Sequence, residues 1–352
     1  MKFITLSPEE FENYAKNSPY KSFMQTPEIA KLRQNSGWIP YYYGVKDGDE
    51  LKAAIMLVGK TTFMGHKTFY APGGPLLDLE NTSLTNFFFT HLKTELKNQK
   101  GYILRIDPYY ELVERNRDGA AVEGGFNHEK ALQNLKNLGF KPTENTDQPK
   151  YLFAMDIKPC PPEVLIMDFK RNTRNHIRKA EKMGVKVREL KREELNLLKD
   201  ITESTSKRRG FEDRPLSYYE QMYDLFHEKG EAKFLLAEAS TTPLSAAMFL
   251  LYGDEVIYLF SGSDEKYMKE YNAQYLIQWH MIKYATEHGF KRYNFYGIGG
   301  LPDPNSEDYG IYDFKKGFTN DQTGHVIELI GSFELSLSPL QSAKKLLKKV
   351  KR

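Results

Sequence analysis

A single cysteine, Cys160, stands among 352 residues. An internal disulfide is therefore excluded, and so is any metal site built on cysteine thiolates. A reducing cytoplasm suits such a chain. None of the eight histidines falls into a His-x-Glu or Glu-x-x-His spacing, so no metal is expected. No Walker loop appears, which removes ATP as the expected energy source. No Gly-x-Ser-x-Gly elbow appears either. No stretch reaches the roughly 20 apolar residues of a membrane span. The opening Met1-Lys2-Phe3-Ile4-Thr5-Leu6-Ser7 holds no apolar run of signal-peptide length, so a cytoplasmic protein is expected. Charge of one sign is also scarce. The net charge is +3, so a basic patch matters only where it is local.

Aromatic residues are abundant, with 23 tyrosines and 22 phenylalanines, and 40% of the chain is hydrophobic. The length predicts roughly two domains with packed cores. Ser7-Pro8-Glu9-Glu10 is a helix start. A second helix is predicted over Pro27 to Asn35, then strands around 41–45 and 52–58 joined by Asp47-Gly48-Asp49. A Gly- and Pro-rich loop, Pro72-Gly73-Gly74-Pro75, precedes a helix over 84–98 and a buried strand over 102–106. Residues 109 to 130 read as a mobile insertion. The second half repeats this order: helices over 172–183, 193–209 and 216–227, a hairpin over 234–252, a strand over 255–261, a helix over 273–288 and a strand over 292–296. The repetition suggests an internal duplication. Near 328–337 the chain turns strand-like again.

Four groups of residues invite chemistry. Arg171, Arg174, Arg178 and Lys182 share one helical face by three-and-four spacing, with Lys170 and Lys179 beside them. Such a face suits nucleic-acid phosphates, although a charge run is often a solvated helix surface. Lys207-Arg208-Arg209-Gly210-Phe211 ends a helix with three cations, suited to a diphosphate or to plain capping. Asp78 and Asp107 stand at loop and strand ends, where a carboxylate can hold an ammonium or cap a turn. A Gly-rich loop, Gly297-Ile298-Gly299-Gly300, leads to Phe314-Lys315-Lys316-Gly317-Phe318, which brings lysines near a close backbone approach.

These stretches resemble the Fem family of aminoacyl-tRNA-dependent transferases, which build peptidoglycan cross-bridges. The resemblance runs through Phe23-Met24-Gln25-Thr26, Tyr70-Ala71-Pro72-Gly73-Gly74-Pro75, Ile106-Asp107-Pro108 and Arg171 to Ala180. It continues through Thr205 with Arg208, Gly210 and Phe211, then Tyr258 with Gly262-Ser263, and ends at Phe314 to Phe318. Gly73 stands where the family usually has Arg, Ile29 where it often has Trp, and Arg33 where it has Lys. Between Phe211 and Phe234 there is no room for a long coiled-coil arm, so the chain resembles the short form.

The resemblance implies an α/β (α+β) fold of two tandem acetyltransferase-like (GNAT) domains with mixed, mainly antiparallel sheets. Domain one would comprise 1–158 plus 328–352 and domain two 159–327. The implied activity is transfer of an amino acid from aminoacyl-tRNA to the side-chain amine of the third residue of the peptidoglycan stem peptide. The acceptor would be UDP-MurNAc-pentapeptide or lipid II, and the enzyme a monomer. Lys315 and Asp107 would be catalytic. Arg33, Tyr102, Asp78, Arg208, Tyr258 and Phe314 would bind substrate, and Arg171, Arg174, Arg178 and Lys179 would bind tRNA. An aminoacyl ester is already activated, so no cofactor is expected. The cation-rich tail 340–352 reads as an amphipathic helix and a peripheral membrane contact. The alternatives are an acetyl-CoA-type N-acyltransferase, whose pyrophosphate loop is not found here, and a non-catalytic RNA- or envelope-binding module.

Overall fold

The computed structural model describes residues 1–144 and 147–339. Within them the chain forms two compact units. The first takes 1–114, 123–150 and the chain from Glu328 to the end of the described residues, and the second takes 115–122 and 151–327. The strand Tyr151–Asp156 joins the second unit's sheet, so the change of unit falls at Lys150 rather than 158.

The first sheet runs Lys2–Thr5, Ile39–Asp47, Glu50–Thr61, Lys67–Gly73, Gly101–Pro108, Phe333–Ser336 and Lys141–Pro142. Its pairs are antiparallel except Lys67–Gly73 with Gly101–Pro108. That parallel pair is joined by the helix Thr82–Asn98. Asn81 caps the helix by accepting from Leu84 N at 3.1 Å. Leu84, Phe88, Leu92 and Leu96 recur at helical spacing and face the core. In the strand Glu50–Thr61, residues 53–59 are all buried, an apolar run covered on both faces.

The second unit's sheet runs Gly324–Leu329, Tyr151–Asp156, Arg292–Gly297, Glu255–Ser263, Thr242–Tyr252, Ala232–Ala239 and Val185–Glu189. Here too one pair is parallel, Glu255–Ser263 with Arg292–Gly297, joined by the helix Ala273–Glu287. Each unit therefore carries one strand–helix–strand crossover in an otherwise antiparallel sheet. Ligands of such sheets sit outside the carboxyl ends of the parallel strands. Those ends are Gly73 and Pro108 in one unit, Ser263 and Gly297 in the other.

One expectation changes. Residues 109–130 are not a loose insertion. Glu111–Glu114 is a strand, and 115–122 forms a turn held by the second unit. There Arg117 donates to Asp321 Oδ1 at 2.6 Å and to the Lys316 carbonyl at 3.0 Å, and Val326 N donates to the Asn116 carbonyl. Partners so distant in sequence leave no local period to read. Phe314 and Lys315, beyond the Gly-rich loop, lie on the helix Tyr309–Lys316. Among the described residues no helix is long and apolar enough to cross a membrane. The tail 340–352 lies outside the described residues.

Candidate active site

Asp107 sits at the carboxyl end of the first unit's crossover, 4% exposed. Its Oδ2 accepts from Tyr70 OH at 2.5 Å and its Oδ1 from Gly73 N at 2.7 Å. Burial pushes its carboxyl up to about 7, against the two hydrogen bonds that favour the charged form. Gly73 is required where it stands. Its φ is +65°, and a Cβ would run into Ser22 Oγ. An arginine there would lose the backbone approach that caps Asp107.

Arg33 joins this group from the last turn of the helix Pro27–Asn35. Its guanidinium lies 5.5 Å from the centre of the Tyr70 ring and donates to Asp147 Oδ2 at 3.2 Å. Arg105 stands 5.9 Å from the same ring. Tyr70 thus links a buried acid to two guanidinium groups. Strand alternation alone did not single it out as a site residue.

Tyr102 and Asp78 stand elsewhere. Tyr102 opens the strand that Asp107 ends, roughly 17 Å away at the usual rise. Its hydroxyl accepts from Thr68 Oγ1 at 3.0 Å. Asp78 Oδ1 accepts from Glu80 N at 2.9 Å and lies 3.4 Å from Tyr110 OH, so its carboxylate shapes the turn before the helix Thr82–Asn98.

In the second unit, Lys315 is buried at 6% exposure, on the same helix face as Tyr312. Its Nζ donates to the Gly297 carbonyl at 2.5 Å, at the carboxyl end of the crossover strand. It also lies 5.9 Å from the centre of the Tyr258 ring. Among the described residues no carboxylate pairs with it. Burial lowers its ammonium to about 7. Tyr258 stacks on Phe249, hydrogen-bonds Ser261 Oγ, and accepts from Gln274 Nε2 at 2.7 Å. Lys316, its sequence neighbour, turns away to pair with Asp118.

Arg208 is exposed on the last turn of the helix Leu195–Arg209. Thr205 on that turn ties the helix to the neighbouring strand end, accepting from Ser263 N at 3.0 Å. Arg208 Nη1 meets Met268 Sδ, at 3.1 Å. On the helix Arg171–Lys182, Arg171, Arg178 and Lys182 have no acidic partner among the described residues. Lys179 meets the Lys269 carbonyl, and Arg174 is held by the carbonyls of Met167 and Phe169. Among the described residues no cluster of His, Cys, Asp and Glu could hold a metal ion.

The FemAB family model matches residues 6–242 and 238–349. The aminoacyltransferase FemA of Staphylococcus aureus (strain NCTC 8325 / PS 47) is 28% identical over 422 aligned positions, covering 100% of this chain and 99% of the relative. The alignment is longer than the 352 residues here, so the relative carries segments this chain lacks. The crystal structure of FemX shares the fold with a TM-score of 0.82 at 24% identity, over 97% of this chain and 99% of that one. A tandem GNAT protein from the clavulanic acid biosynthesis pathway shares it more distantly, with a TM-score of 0.55 at 11% identity over 96% and 99%. Two acetyltransferase-like units are thus the fold. With a family match along nearly its whole length, the chain belongs to the FemAB family of aminoacyltransferases.

Proposed function

We propose that the chain transfers an amino acid from aminoacyl-tRNA to the side-chain amine of the third residue of the peptidoglycan stem peptide, in cross-bridge synthesis. The observation that carries this reading is Lys315. It is a buried amine with no acidic partner among the described residues, tethered to a backbone carbonyl at the end of a crossover strand.

The chemistry follows from the groups present. The acceptor amine has a free pKa of about 10.4 and must lose a proton before it attacks the ester. Asp107, at about 7, can take up a proton near neutral pH. The tetrahedral intermediate gathers negative charge, and the ribose oxygen leaves with the electron pair. Lys315 protonated stabilises that charge, more strongly in its dry surroundings than in water. An anion arriving beside Lys315 favours its charged form, so stabilisation and proton uptake are coupled. Arg33 and Arg208 bind the phosphates and sugar of the precursor, and the basic helix tracks the tRNA. The test is incubation with charged tRNAs and with either UDP-MurNAc-pentapeptide or lipid II, followed by mass spectrometry of the stem peptide. A mass gain of one amino acid residue at position three supports the reading. Transfer from acetyl-CoA, with none from aminoacyl-tRNA, overturns it.

A further inference from the structure

Eight residues make the helix Tyr309–Lys316, about two turns, and the loop before it is rich in Gly and Pro. So short a helix does not hold itself in place in water, and the position of Lys315 is set by what grips the helix. The grip comes from the turn at 115–122, which belongs to the same unit. Arg117 Nη2 donates to the Lys316 carbonyl at 3.0 Å, and the Arg117 carbonyl accepts from Tyr312 OH at 2.9 Å. Asp118 pairs with the Lys316 ammonium. Tyr312 and Lys316 stand on either side of Lys315 along the helix, so the turn fixes both its rotation and its axial position. A Cβ on Gly119 would stand 2.6 Å from Pro302 Cδ, so the turn also rests against the loop that leads into the helix. The turn is itself rigid. Asn116 Oδ1 accepts from Asp118 N and Ala120 N, both at 3.0 Å, and Val326 N ties the Asn116 carbonyl to the sheet.

Stability alone does not call for Arg117. Its side chain is 11% exposed while that of its partner Asp321 is 85% exposed, and its Nε has no hydrogen-bond partner among the described residues. A guanidinium drawn this far from water towards a solvated carboxylate gains little from the pair. What the fork achieves is geometric, since it spans Asp321 Oδ1 at 2.6 Å and the helix-end carbonyl at once. We infer that Arg117 is a positioning residue for Lys315, holding the helix so that the lysine amine stays on the Gly297 carbonyl and out of water. Its effect on turnover rests on the reading of Lys315 as the group that stabilises the intermediate, whereas its effect on the lysine itself does not. By this inference Arg117 acts through the helix and takes no part in bond making.

The test reads the Lys315 amine directly. The full chain is labelled with trace acetic anhydride over a pH series, and peptide mass spectrometry follows Lys315 with the exposed Lys207 as reference. In wild type Lys315 should acetylate slowly and titrate near 7. Arg117→Met keeps the buried stem and removes the fork. It should raise the limiting rate at Lys315 by about tenfold or more, the weight of one hydrogen bond from a charged group. The midpoint should move up, because water reaching the amine favours its charged form. Arg117→Lys keeps the charge but cannot span both acceptors, so it should fall between the two. Full recovery by Arg117→Lys would make charge the cause and overturn the positioning role. Turnover at saturating substrates should fall in Arg117→Met with both Michaelis constants unchanged, where circular dichroism shows folded protein. Should Arg117→Met not fold, Asp118→Asn, at a side chain 62% exposed, removes only the pair with Lys316 and should shift Lys315 in the same direction. No shift there overturns the inference. If wild-type protein transfers amino acids while Lys315 in Arg117→Met labels as in wild type, the positioning role falls and the function stands. If Lys315 responds as expected but wild-type protein transfers nothing, the positioning role stands and the function falls.

Discussion

At Lys315 the fold carries a primary amine into its interior and surrounds it with a carbonyl and an aromatic ring rather than an acid. Such a group costs stability, because burial disfavours its charged form. The sign is definite. Its folded value of about 7 lies below the ordinary 10.5, so between those values the unfolded chain holds a proton that the folded chain has released. Stability therefore rises with pH from about 7 towards 10.5, and the full cost is felt below 7. Lys315→Met keeps the length and removes the amine. The variant should be more stable than wild type at pH 6, by up to about 4 kcal/mol, with the difference shrinking towards pH 10. Urea melts of both proteins at the two pH values check this. A pH-independent difference would mean that Lys315 is not buried as a titrating amine. The same substitution should lower turnover by about two to three orders of magnitude, the scale of removing one oxyanion-type donor. Single-turnover rates with charged tRNA measure it, and near-normal turnover would remove Lys315 from the mechanism. Gain of stability with loss of activity is the signature of a group kept for chemistry.

On the helix Arg171–Lys182 the cations divide by what holds them. Arg174 is spent on the carbonyls of Met167 and Phe169, so it fixes the entry to its own helix. Arg171 and Arg178 remain unpaired among the described residues and point to a long anionic partner. Changing both to Glu should lower affinity for tRNA and flatten the plot of log affinity against log salt, by roughly 0.7–0.9 for each phosphate no longer neutralised. Filter binding across a salt series reads the slope, and an unchanged slope returns these residues to a solvated surface. This helix was legible from its spacing, as were Pro27–Asn35 and Ala273–Glu287, because periodic apolar residues mark the buried side. The helix Tyr309–Lys316 was not. Its eight residues follow a Gly- and Pro-rich loop, and one of its two buried side chains is a lysine, which a hydrophobic pattern counts as outward. The turn at 115–122 was hidden for another reason. Its order comes from Arg117 and Asp118 meeting Asp321 and Lys316, pairings that form only after distant strands have assembled. At the site, Asp107 and Lys315 could be picked out from motif order, whereas Tyr70, which links Asp107 to Arg33, could not, since a strand tyrosine is ordinarily core.

The whole molecule uses the same device twice: a crossover whose strand ends present one polar group that burial has brought to near-neutral titration. In one unit it is an acid, Asp107, raised to about 7; in the other an amine, Lys315, lowered to about 7. In the proposed reaction Arg33 and Arg208 each contact the precursor's phosphates and sugar. Neither guanidinium is locked in a buried ion pair. Arg33 meets Asp147 at 3.2 Å with both side chains partly exposed, a pairing an incoming phosphate can replace. Arg33→Ala and Arg208→Ala should therefore each raise the Michaelis constant for the peptidoglycan precursor by the equivalent of about 1.5–3 kcal/mol, the value of a charge-assisted hydrogen bond. The constant for aminoacyl-tRNA should stay nearly unchanged in each variant, since neither residue lies on the basic helix Arg171–Lys182. Steady-state kinetics with each substrate varied in turn separate the two effects. If either variant weakens both substrates equally, that residue acts through the fold of its unit. If Arg33→Ala changes neither constant, precursor binding does not use the first unit's strand end, and Asp107 loses its place beside the acceptor amine.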